Sequence, residues 1–358
     1  MDVIVVGGGP AGTAAAMVLA RRGRSVALLE RTAYDTTRVG EGLQPLAHSI
    51  LVDLGLAERF ARQGHSSSTV LRHVWFDEEV RSRDTSDDEH GPWWHVDRNE
   101  FDTMLSDAAR EAGVVFHSRT QLRAIERSDG AWHVDAEGVS GALALGARFA
   151  IDASGRARAV CRQLGVTQRR LDAQVGVVGF MLGAPRAAEA HNFVEAMPDG
   201  WFHSSRIPRG RFVVTYMTDA DLIPHSRGAL EDFWLAQLAG TRHTRARLEG
   251  CRLEAPPRVV AANTSCVDAV FGDGWVAVGD AAMTCDPMSS QGVLNALETG
   301  RRAGEAVDLY LAGDGGRELQ AYRDEVVGEF EVLVDNAKHN YRNHVRWPDS
   351  PYWQRRRS

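Results

Sequence analysis

A glycine-rich turn directly after a short apolar run constrains this chain more than any other feature of its sequence. Val3–Val6 is apolar throughout, which is typical of a strand buried on both faces of a parallel sheet. Gly7, Gly9 and Gly12 then form a G-x-G-x-x-G pattern ahead of a helical segment, and Glu30 ends the next apolar run. Such glycines permit a tight turn, a close approach of the backbone to a pyrophosphate, and close helix–strand packing. The pattern predicts a dinucleotide-binding βαβ unit in which Glu30 accepts hydrogen bonds from ribose hydroxyls.

The residues beside this motif belong to the same predicted binding loop. Pro10 and Ala11 precede the helical segment Ala14–Arg22, whose amino-terminal end favours an anion, and Arg31 follows Glu30. NAD and FAD share an adenosine diphosphate end, so the motif alone does not distinguish between them.

Composition excludes several classes of protein. The chain has 358 residues, of which 44% are apolar and 25% charged, and a net charge of −7, values typical of a globular protein with no nucleic-acid partner. No run approaches about eighteen consecutive apolar residues, and no secretion signal opens the chain, so we expect no membrane association and a cytoplasmic location. No metal site is expected, because the cysteines lack metal-binding spacing: Cys161, Cys251, Cys266 and Cys285.

The order of the segments predicts an α/β fold in which the chain leaves the dinucleotide unit and returns to it. Between about Gly176 and Ala262 the sequence changes to β-rich runs separated by Gly and Pro, which predicts an inserted antiparallel sheet. A buried strand, Trp275–Val278, then leads to a helix from about Ser290. We therefore predict a discontinuous dinucleotide-binding domain of residues 1–80, 97–175 and 263–330, and a substrate domain of residues 81–96 and 176–262.

The last part of the chain predicts one long helix and a tail. Leu319, Tyr322, Val326 and Phe330 recur every three or four residues, as in an amphipathic helix. The chain ends with three arginines at 355–357 before Ser358. We expect residues 331–358 to form the end of this helix and a solvated, frayed basic tail.

Further motifs resemble those of the superfamily of FAD-dependent monooxygenases and halogenases, which has the fold of p-hydroxybenzoate hydroxylase. A buried strand is followed by a GD-x₆-P-x₄-G segment, and D-x-x-G and an arginine in VDRNEFD precede it in the superfamily's order. The resemblance implies FAD as the cofactor and a Rossmann-like domain of the glutathione-reductase-2 type, with an inserted antiparallel sheet and a C-terminal helix. The residues that it assigns to FAD are Arg98, Asp152, Gly155, Gly279, Asp280, Pro287, Gln291 and Gly292.

Within the superfamily, RVGEGLQPLA resembles the V-G-E-x-x-x-P loop of one branch. That branch contains tryptophan halogenases, geranylgeranyl reductase-like proteins and the flavoprotein maturases of tryptophylquinone oxidases. The resemblance places Arg38 and Glu41 against the flavin, with Glu41 as a catalytic candidate. Tryptophan-type halogenases need a lysine some tens of residues later, but the one lysine here is Lys338. Halogenation is therefore disfavoured.

The segments around Trp201 and Pro287 most resemble the maturase group. This resemblance implies hydroxylation, through a C4a-hydroperoxyflavin, of a small aromatic substrate or of a tryptophan in a precursor peptide or protein. His203 is a second catalytic candidate, and Trp201 together with Trp93, Trp94 and His95 is expected to line the substrate pocket.

The source of electrons and three rival functions stay open. No second G-x-G-x-x-G follows a strand, so we expect NADPH or NADH to visit the flavin transiently, or a flavin reductase or the substrate to supply electrons. The rivals are a reductase or dehydrogenase acting on a carbon–carbon bond, a halogenase, and a non-catalytic flavoprotein that escorts a precursor peptide. Docking of an acidic partner on the basic tail would suit the last of these.

Overall fold

The apolar run at the start of the chain forms the central strand Val3–Val6 of a six-stranded sheet. The structure, a computed structural model, describes residues 1–183 and 190–357; residues 184–189 of the predicted substrate domain and residue 358 of the predicted tail lie outside it. All neighbouring strands of this sheet are parallel except the pair at one edge. The order is Phe271–Gly272, Trp275–Ala277, Phe149–Asp152, Val3–Val6, Val26–Glu30 and Val115–Ser118.

The first helix begins at Pro10, one turn before the predicted Ala14, and ends at Arg21. Proline suits this position because the first N–H groups of a helix have no partner within it. Gly7 has a φ of +113°, and a Cβ added there would lie 2.2 Å from the carbonyl oxygen of Ala153. The glycine pattern is therefore required by the backbone, as the sequence predicts.

A large, mainly antiparallel sheet contains the segments predicted to be β-rich, and within it the pair Asn192–Met197 and Val70–Val74 is parallel. Its strand order is Arg252–Leu253, Gln174–Leu182, Arg211–Asp219, Gly200–Ile207, Asn192–Met197, Val70–Val74 and Arg81–Asp84, and Arg258–Ala261 also pairs with Gln174–Leu182. The fold class is confirmed. Val70–Val74 pairs here although it falls in the range 1–80 assigned to the other domain, and the exact domain ranges stay a prediction.

The inserted sheet is interrupted by two helices that were not predicted from the sequence. Helices Arg227–Ala239 and His243–Arg247 lie within it. Ser226 caps the first of these by accepting a hydrogen bond from the backbone of Ala229, and the helix buries Trp234 against the large sheet. The segment itself favours a helix, because it is rich in Ala, Leu, Glu and Gln and places Leu230, Trp234 and Leu238 on one buried face.

The remaining elements connect these two sheets. Three-stranded sheets are formed by Gln121–Ser128, Ala131–Gly138 and Gly141–Ala147; by Gln168–Arg170, Ser265–Val267 and Met283–Thr284; and by Gly42–Leu43, Ser66–Ser68 and Trp93–His95. Other α-helices are Leu46–Asp53, Ala57–Arg62, Arg98–Glu111, Ala159–Gln163, Gly292–Leu311, Arg317–Arg342 and Pro351–Arg357, and 3-10 turns are Gly155–Ala157, Ala220–Leu222, Gly279–Ala281 and Pro287–Ser289. Within residues 1–183 and 190–357, none of the helices has the length and apolar character needed to cross a bilayer.

The predicted long helix is confirmed as Arg317–Arg342, but the expectation of a frayed basic tail was wrong. Residues 351–357 form a short C-terminal helix in which Tyr352 and Trp353 are fully buried. Arg355 and Arg356 form ion pairs with Asp219 of the large sheet at 2.9 and 2.7 Å. Burial of two large aromatic side chains offsets the entropy lost in ordering the end of the chain.

Acid should weaken the docking of this helix. His344 is fully buried with its ring stacked 3.5 Å from that of Trp353, and burial lowers its pKa from 6.5 to about 4. The unfolded chain takes up the proton first, so stability conferred by neutral His344 is present above pH 6.5 and is lost as the pH falls towards 4. We expect His344→Gln to reduce this loss by up to about 1.4 kcal/mol per pH unit, measured by urea unfolding. The exposed His133→Gln is the control, and equal slopes for the two variants would contradict the prediction.

Candidate active site

A cavity of about 710 Å³ extends from the glycine-rich turn to the large antiparallel sheet. Most of the predicted cofactor residues border it, although they come from segments distant in sequence. They are Gly7, Gly9, Pro10, Ala11, Glu30, Arg31, Arg38, Glu41, Arg98, Gly155, Asp280, Pro287, Gln291 and Gly292.

Three predicted cofactor residues lie behind this lining. Asp152 is fully buried, and its carboxylate accepts hydrogen bonds from the backbone N–H groups of Val160 and Cys161 at 2.9 and 2.8 Å. Gly12 lies under the glycine-rich turn, and Gly279 has a φ of +57° at the end of its strand. The structure therefore gives these three residues a role in shaping the loops that border the cavity.

Glu30 orients the glycine-rich turn from the end of its strand. Its carboxylate accepts hydrogen bonds from the backbone N–H of Gly8 at 2.8 Å and from the hydroxyl of Thr32 at 2.6 Å. Arg38 donates to the same carboxylate at 3.0 Å. The backbone N–H of Thr32 donates as well, at 2.9 Å, so the carboxylate accepts four hydrogen bonds, about as many as it can take. A ribose hydroxyl can therefore bind Glu30 only by replacing one of these donors.

Asp102 is a residue of the site that sequence reasoning missed. It is fully buried and accepts hydrogen bonds from Arg38 at 2.7 Å and from Arg98 at 3.0 Å. Arg98 also donates to the carbonyl oxygen of Val39 at 2.7 Å. These contacts hold the 38–41 loop at the cavity. The i,i+4 spacing of Arg98 and Asp102 in one helix is the signal that could have revealed the pair.

Two helices begin at the cavity without a described side chain that caps them. One begins at Pro10 and the other at Gly292, and Gly9 and Gln291 are the residues before them. Their first backbone N–H groups lack partners within the helix and favour an anion. The two ends can therefore bind a pyrophosphate and a second group of anionic character.

Asp280 faces the cavity beside a cation that the sequence did not reveal. The Nε of Arg156 lies 3.4 Å from Asp280 Oδ2. Enclosure raises the pKa of Asp280, whereas Arg156 and Arg98 oppose that rise. The backbone carbonyl of Asn263 accepts a hydrogen bond from Arg156 at 2.9 Å, which fixes the guanidinium in place.

Glu41 and His203, the two predicted catalytic residues, meet at the cavity. The Nδ1 of His203 lies 3.3 Å from Glu41 Oε1, and its Nε2 lies 3.0 Å from Asn192 Oδ1. An amide oxygen only accepts, so Nε2 carries a hydrogen and the Nδ1–carboxylate contact requires a further proton. Burial lowers the pKa of His203, and Glu41 opposes that shift. The neutral imidazole therefore has its hydrogen on Nε2, and the pair can take up one further proton at Nδ1.

The far wall of the cavity is apolar. Trp201, Met217 and Val178 border it, as does Cys285, whose thiol pKa burial raises to about 11, which leaves the thiol protonated near neutral pH. The expectation that three further residues line the pocket was wrong. The described lining of the cavity does not include Trp93, Trp94 or His95. They form the small strand that pairs with Gly42–Leu43 and so support the loop after Glu41.

This arrangement fits a bound FAD. The turn at Gly9 leaves open space, because a Cβ there would meet no protein atom within 4 Å. Two helix starts supply N–H donors, and Glu30 and Asp280 supply acceptors for hydroxyl groups. The residues that would hold the cofactor thus combine phosphate donors at one end with an apolar wall at the other.

Comparisons with known proteins agree with this assignment. LodB of Marinomonas mediterranea is named an FAD-dependent oxidoreductase. Its alignment with this chain, of length 363 with gaps, shows 29% identity and covers 99% of this chain and 96% of LodB. The halogenase CmlS superposes with a TM-score of 0.90 at 25% identity, covering 99% of this chain and 67% of CmlS. The peptidyl tryptophan dihydroxylase QhpG shares the fold, with a TM-score of 0.81 at 23% identity over 100% of this chain and 78% of QhpG.

Two glycines of the turn should separate cofactor binding from folding. Gly9→Val places its side chain in open space of the cavity, so we expect the apoprotein to keep its melting temperature and to bind FAD about 100-fold more weakly, a loss of about 2.7 kcal/mol. Gly12→Val brings a Cβ within 1.9 Å of the Gly7 carbonyl oxygen and should prevent stable folding. Fluorescence titration of FAD and thermal melts measure the two effects. Wild-type FAD affinity in Gly9→Val would refute the placement of the phosphates.

The motifs, the cavity and the match to known proteins lead to one family. Residues 1–337 match the family model described as an FAD binding domain. The glycine-rich turn, the 38–41 loop and the 279–292 segment that meet at the cavity all lie within this match. The chain belongs to this family and is an FAD-dependent oxidoreductase of the monooxygenase and halogenase superfamily.

Proposed function

We propose that this protein is a monooxygenase that hydroxylates an aromatic, indole-like substrate, either free or as a tryptophan side chain in a peptide. The observation that carries the proposal is a proton-accepting pair, His203 and Glu41, beside an apolar wall in the cavity that fits FAD. An apolar wall favours an uncharged ring, and a proton-accepting pair suits a reaction in which the ring loses a proton.

Bound and reduced FAD supplies the activation of dioxygen and the transfer of one oxygen atom. The chain binds and orients the substrate and keeps water away from it. Trp201, Met217 and Val178 form the apolar side, and Thr215 adds a hydroxyl. Such enclosure excludes competing reactions with water.

His203 then accepts the proton that the ring carbon loses when it gains oxygen. Asn192 holds the imidazole through Nε2, so Nδ1, which lies beside Glu41, is the nitrogen that accepts the proton. Because burial lowers the pKa of His203, its imidazole is neutral near pH 7 and can accept a proton. Glu41 stabilises the imidazolium that forms.

The substrate and the electron donor are the finer parts of the proposal. QhpG is named as a peptidyl tryptophan dihydroxylase, and its fold likeness supports a peptide-bound tryptophan as one form of the substrate. Electrons come from transient NADPH or NADH or from a flavin reductase, since the chain carries one G-x-G-x-x-G dinucleotide motif.

Halogenation is the second candidate, favoured by the likeness to CmlS. The cavity argues against it. Lys338, the one lysine of the sequence, is exposed on the helix Arg317–Arg342, and no lysine is among the described residues that border the cavity. A lysine is the residue that tryptophan-type halogenases need near the flavin. The escort function loses its structural basis because Arg355 and Arg356 bind Asp219 of the same chain.

Labelled oxygen separates these functions. The holoprotein is reduced anaerobically with dithionite, mixed with N-acetyltryptophanamide and exposed to ¹⁸O₂ in the presence of chloride and bromide. We expect one ¹⁸O atom in the product and no halogen. A halogenated product would establish the second candidate, and a product formed without oxygen would establish a reductase. Unlabelled hydroxylated product would mean that water, and not dioxygen, supplies the oxygen.

Replacement of the imidazole should slow the chemical step. We expect His203→Gln to lower the single-turnover rate about 100-fold, the lower range for loss of a general base, with substrate Kd unchanged within about twofold. In the wild type the rate should fall only below the ordinary histidine pKa of 6.5, because protonated His203 cannot accept a proton and burial lowers its pKa. The variant should lack this acid limb. The exposed His133→Gln is the control, and an acid limb retained in His203→Gln would exclude the role.

A further inference from the structure

The indole of Trp201 is held from behind the apolar wall. Trp201 borders the cavity but is only 1% exposed. Its Nε1–H donates to the hydroxyl oxygens of Tyr352 at 2.8 Å and of Tyr341 at 3.2 Å. Because Nε1 is the single polar atom of an indole, the part of this side chain at the cavity is hydrocarbon.

The hydroxyl groups of Tyr341 and Tyr352 each have a fixed hydrogen-bond acceptor. Tyr341 donates to Asp286 at 2.9 Å, and Tyr352 donates to Gln174 at 2.8 Å. Each hydroxyl has one hydrogen, which these acceptors use, so both oxygens are left to accept from Trp201. Asp286 stands between Cys285 and Pro287, which both border the cavity. The cluster therefore joins the wall to the predicted flavin loop.

The C-terminal helix carries Tyr352 and is itself firmly held. The guanidinium of Arg356 lies 3.6 Å from the centre of the Tyr352 ring and donates to Asp219 at 2.7 Å. The indole of Trp353 donates to the backbone carbonyl of Met197 at 3.0 Å. Buried and fully hydrogen-bonded, such a network permits one arrangement of its rings.

We propose that the C-terminal helix supports the substrate pocket from behind its wall: Tyr352 and Tyr341 position the indole of Trp201, and Trp201 sets the size of the aromatic ring that the cavity accepts. This inference rests on the proposed function, because it assumes that the apolar end of the cavity takes a ring. Trp201 is the specificity-determining residue, and the tyrosines act through it.

Ring affinity tests the role of Trp201. Oxidised holoprotein is titrated with phenol, indole and 4-phenylphenol, and the change in the visible flavin spectrum gives each Kd without turnover. We expect Trp201→Phe to favour the larger ring, with the ratio of Kd for 4-phenylphenol to Kd for indole falling about tenfold. Trp132→Phe is the matched control, because Trp132 is also buried and donates to a backbone carbonyl, of Gly274, but lies outside the cavity lining. An unchanged ratio in Trp201→Phe, or a wild type to which no ring binds, would overturn the proposal.

Removal of a hydroxyl tests the positioning role. We expect Tyr352→Phe to raise the Kd for indole about fivefold and to leave the Kd for FAD unchanged, because the Nε1 of Trp201 keeps only the longer bond to Tyr341. In the double variant that also carries Tyr341→Phe, the rise in the Kd for indole should exceed the product of the rises in the two single variants, since the buried indole N–H then has no acceptor in the cluster. Tyr322→Phe is the control, because Tyr322 is buried and donates to the carbonyl of Ala277 at 2.9 Å.

Two results would overturn the positioning role. One is an equal loss of melting temperature in Tyr352→Phe and Tyr322→Phe with unchanged ring affinity in both, which would make Tyr352 merely structural. The other is a change in FAD affinity alone. Ring binding is measured without oxygen or reductant, so its outcome is independent of the ¹⁸O₂ experiment. Failure of the ring series with labelled product formed would reject this inference only, and the reverse result would reject monooxygenation only.

Discussion

The structure depends on backbone-to-backbone contact around the first helix. A Cβ at Gly300 would come within 2.1 Å of the Ala11 carbonyl oxygen, and one at Gly12 within 1.9 Å of the Gly7 carbonyl oxygen. Only glycine allows the helices that begin at Pro10 and Gly292 to approach so closely. Their uncapped amino-terminal ends consequently face the same cavity. One steric constraint thus assembles two sites for negative charge from segments almost the length of the chain apart.

The second requirement is to hold a loop between those two ends, and a buried carboxylate meets it. Asp102 takes hydrogen bonds from Arg38 and Arg98, while Glu30 takes another from Arg38. Buried charges are costly unless paired and hydrogen-bonded, and removal of one partner leaves the others uncompensated. The network therefore links the strand end, the loop and the helix into one unit. Glu41 owes its position beside His203 to this support.

Features that depend on residues close in sequence could be predicted, whereas most of those that depend on residues far apart in sequence could not. The glycine pattern, the buried strands and the long helix Arg317–Arg342 have local signatures, and these predictions were confirmed. Asn192 could not be assigned from sequence because its partner His203 lies on another element, and the same holds for the pairing of Asp102 with Arg38, although the i,i+4 partner Arg98 was a local signal for Asp102. The basic tail was misjudged for the same reason: its arginines bind carboxylates on a distant strand, and composition does not reveal that pairing. Helix Arg227–Ala239 differs, because it has a local signature that sequence reasoning overlooked: the N-cap Ser226 followed by Leu230, Trp234 and Leu238 at helical spacing.

The two ends of the cavity therefore differ in how well they tolerate amino-acid substitutions. At the dinucleotide end, Gly7 and Gly12 pack against backbone atoms, so their substitution disrupts the fold, and only Gly9 of the three faces open space. At the other end, side chains from the large sheet supply the surface and the C-terminal helix packs behind them, so a changed side chain there leaves the backbone contacts intact. Because the cofactor end is constrained and the far wall is not, proteins with different reactions can share this fold. The halogenase CmlS and the dihydroxylase QhpG both do so. Reaction and substrate must accordingly be inferred from the far wall and the Glu41–His203 pair, and only the cofactor from the glycine-rich end.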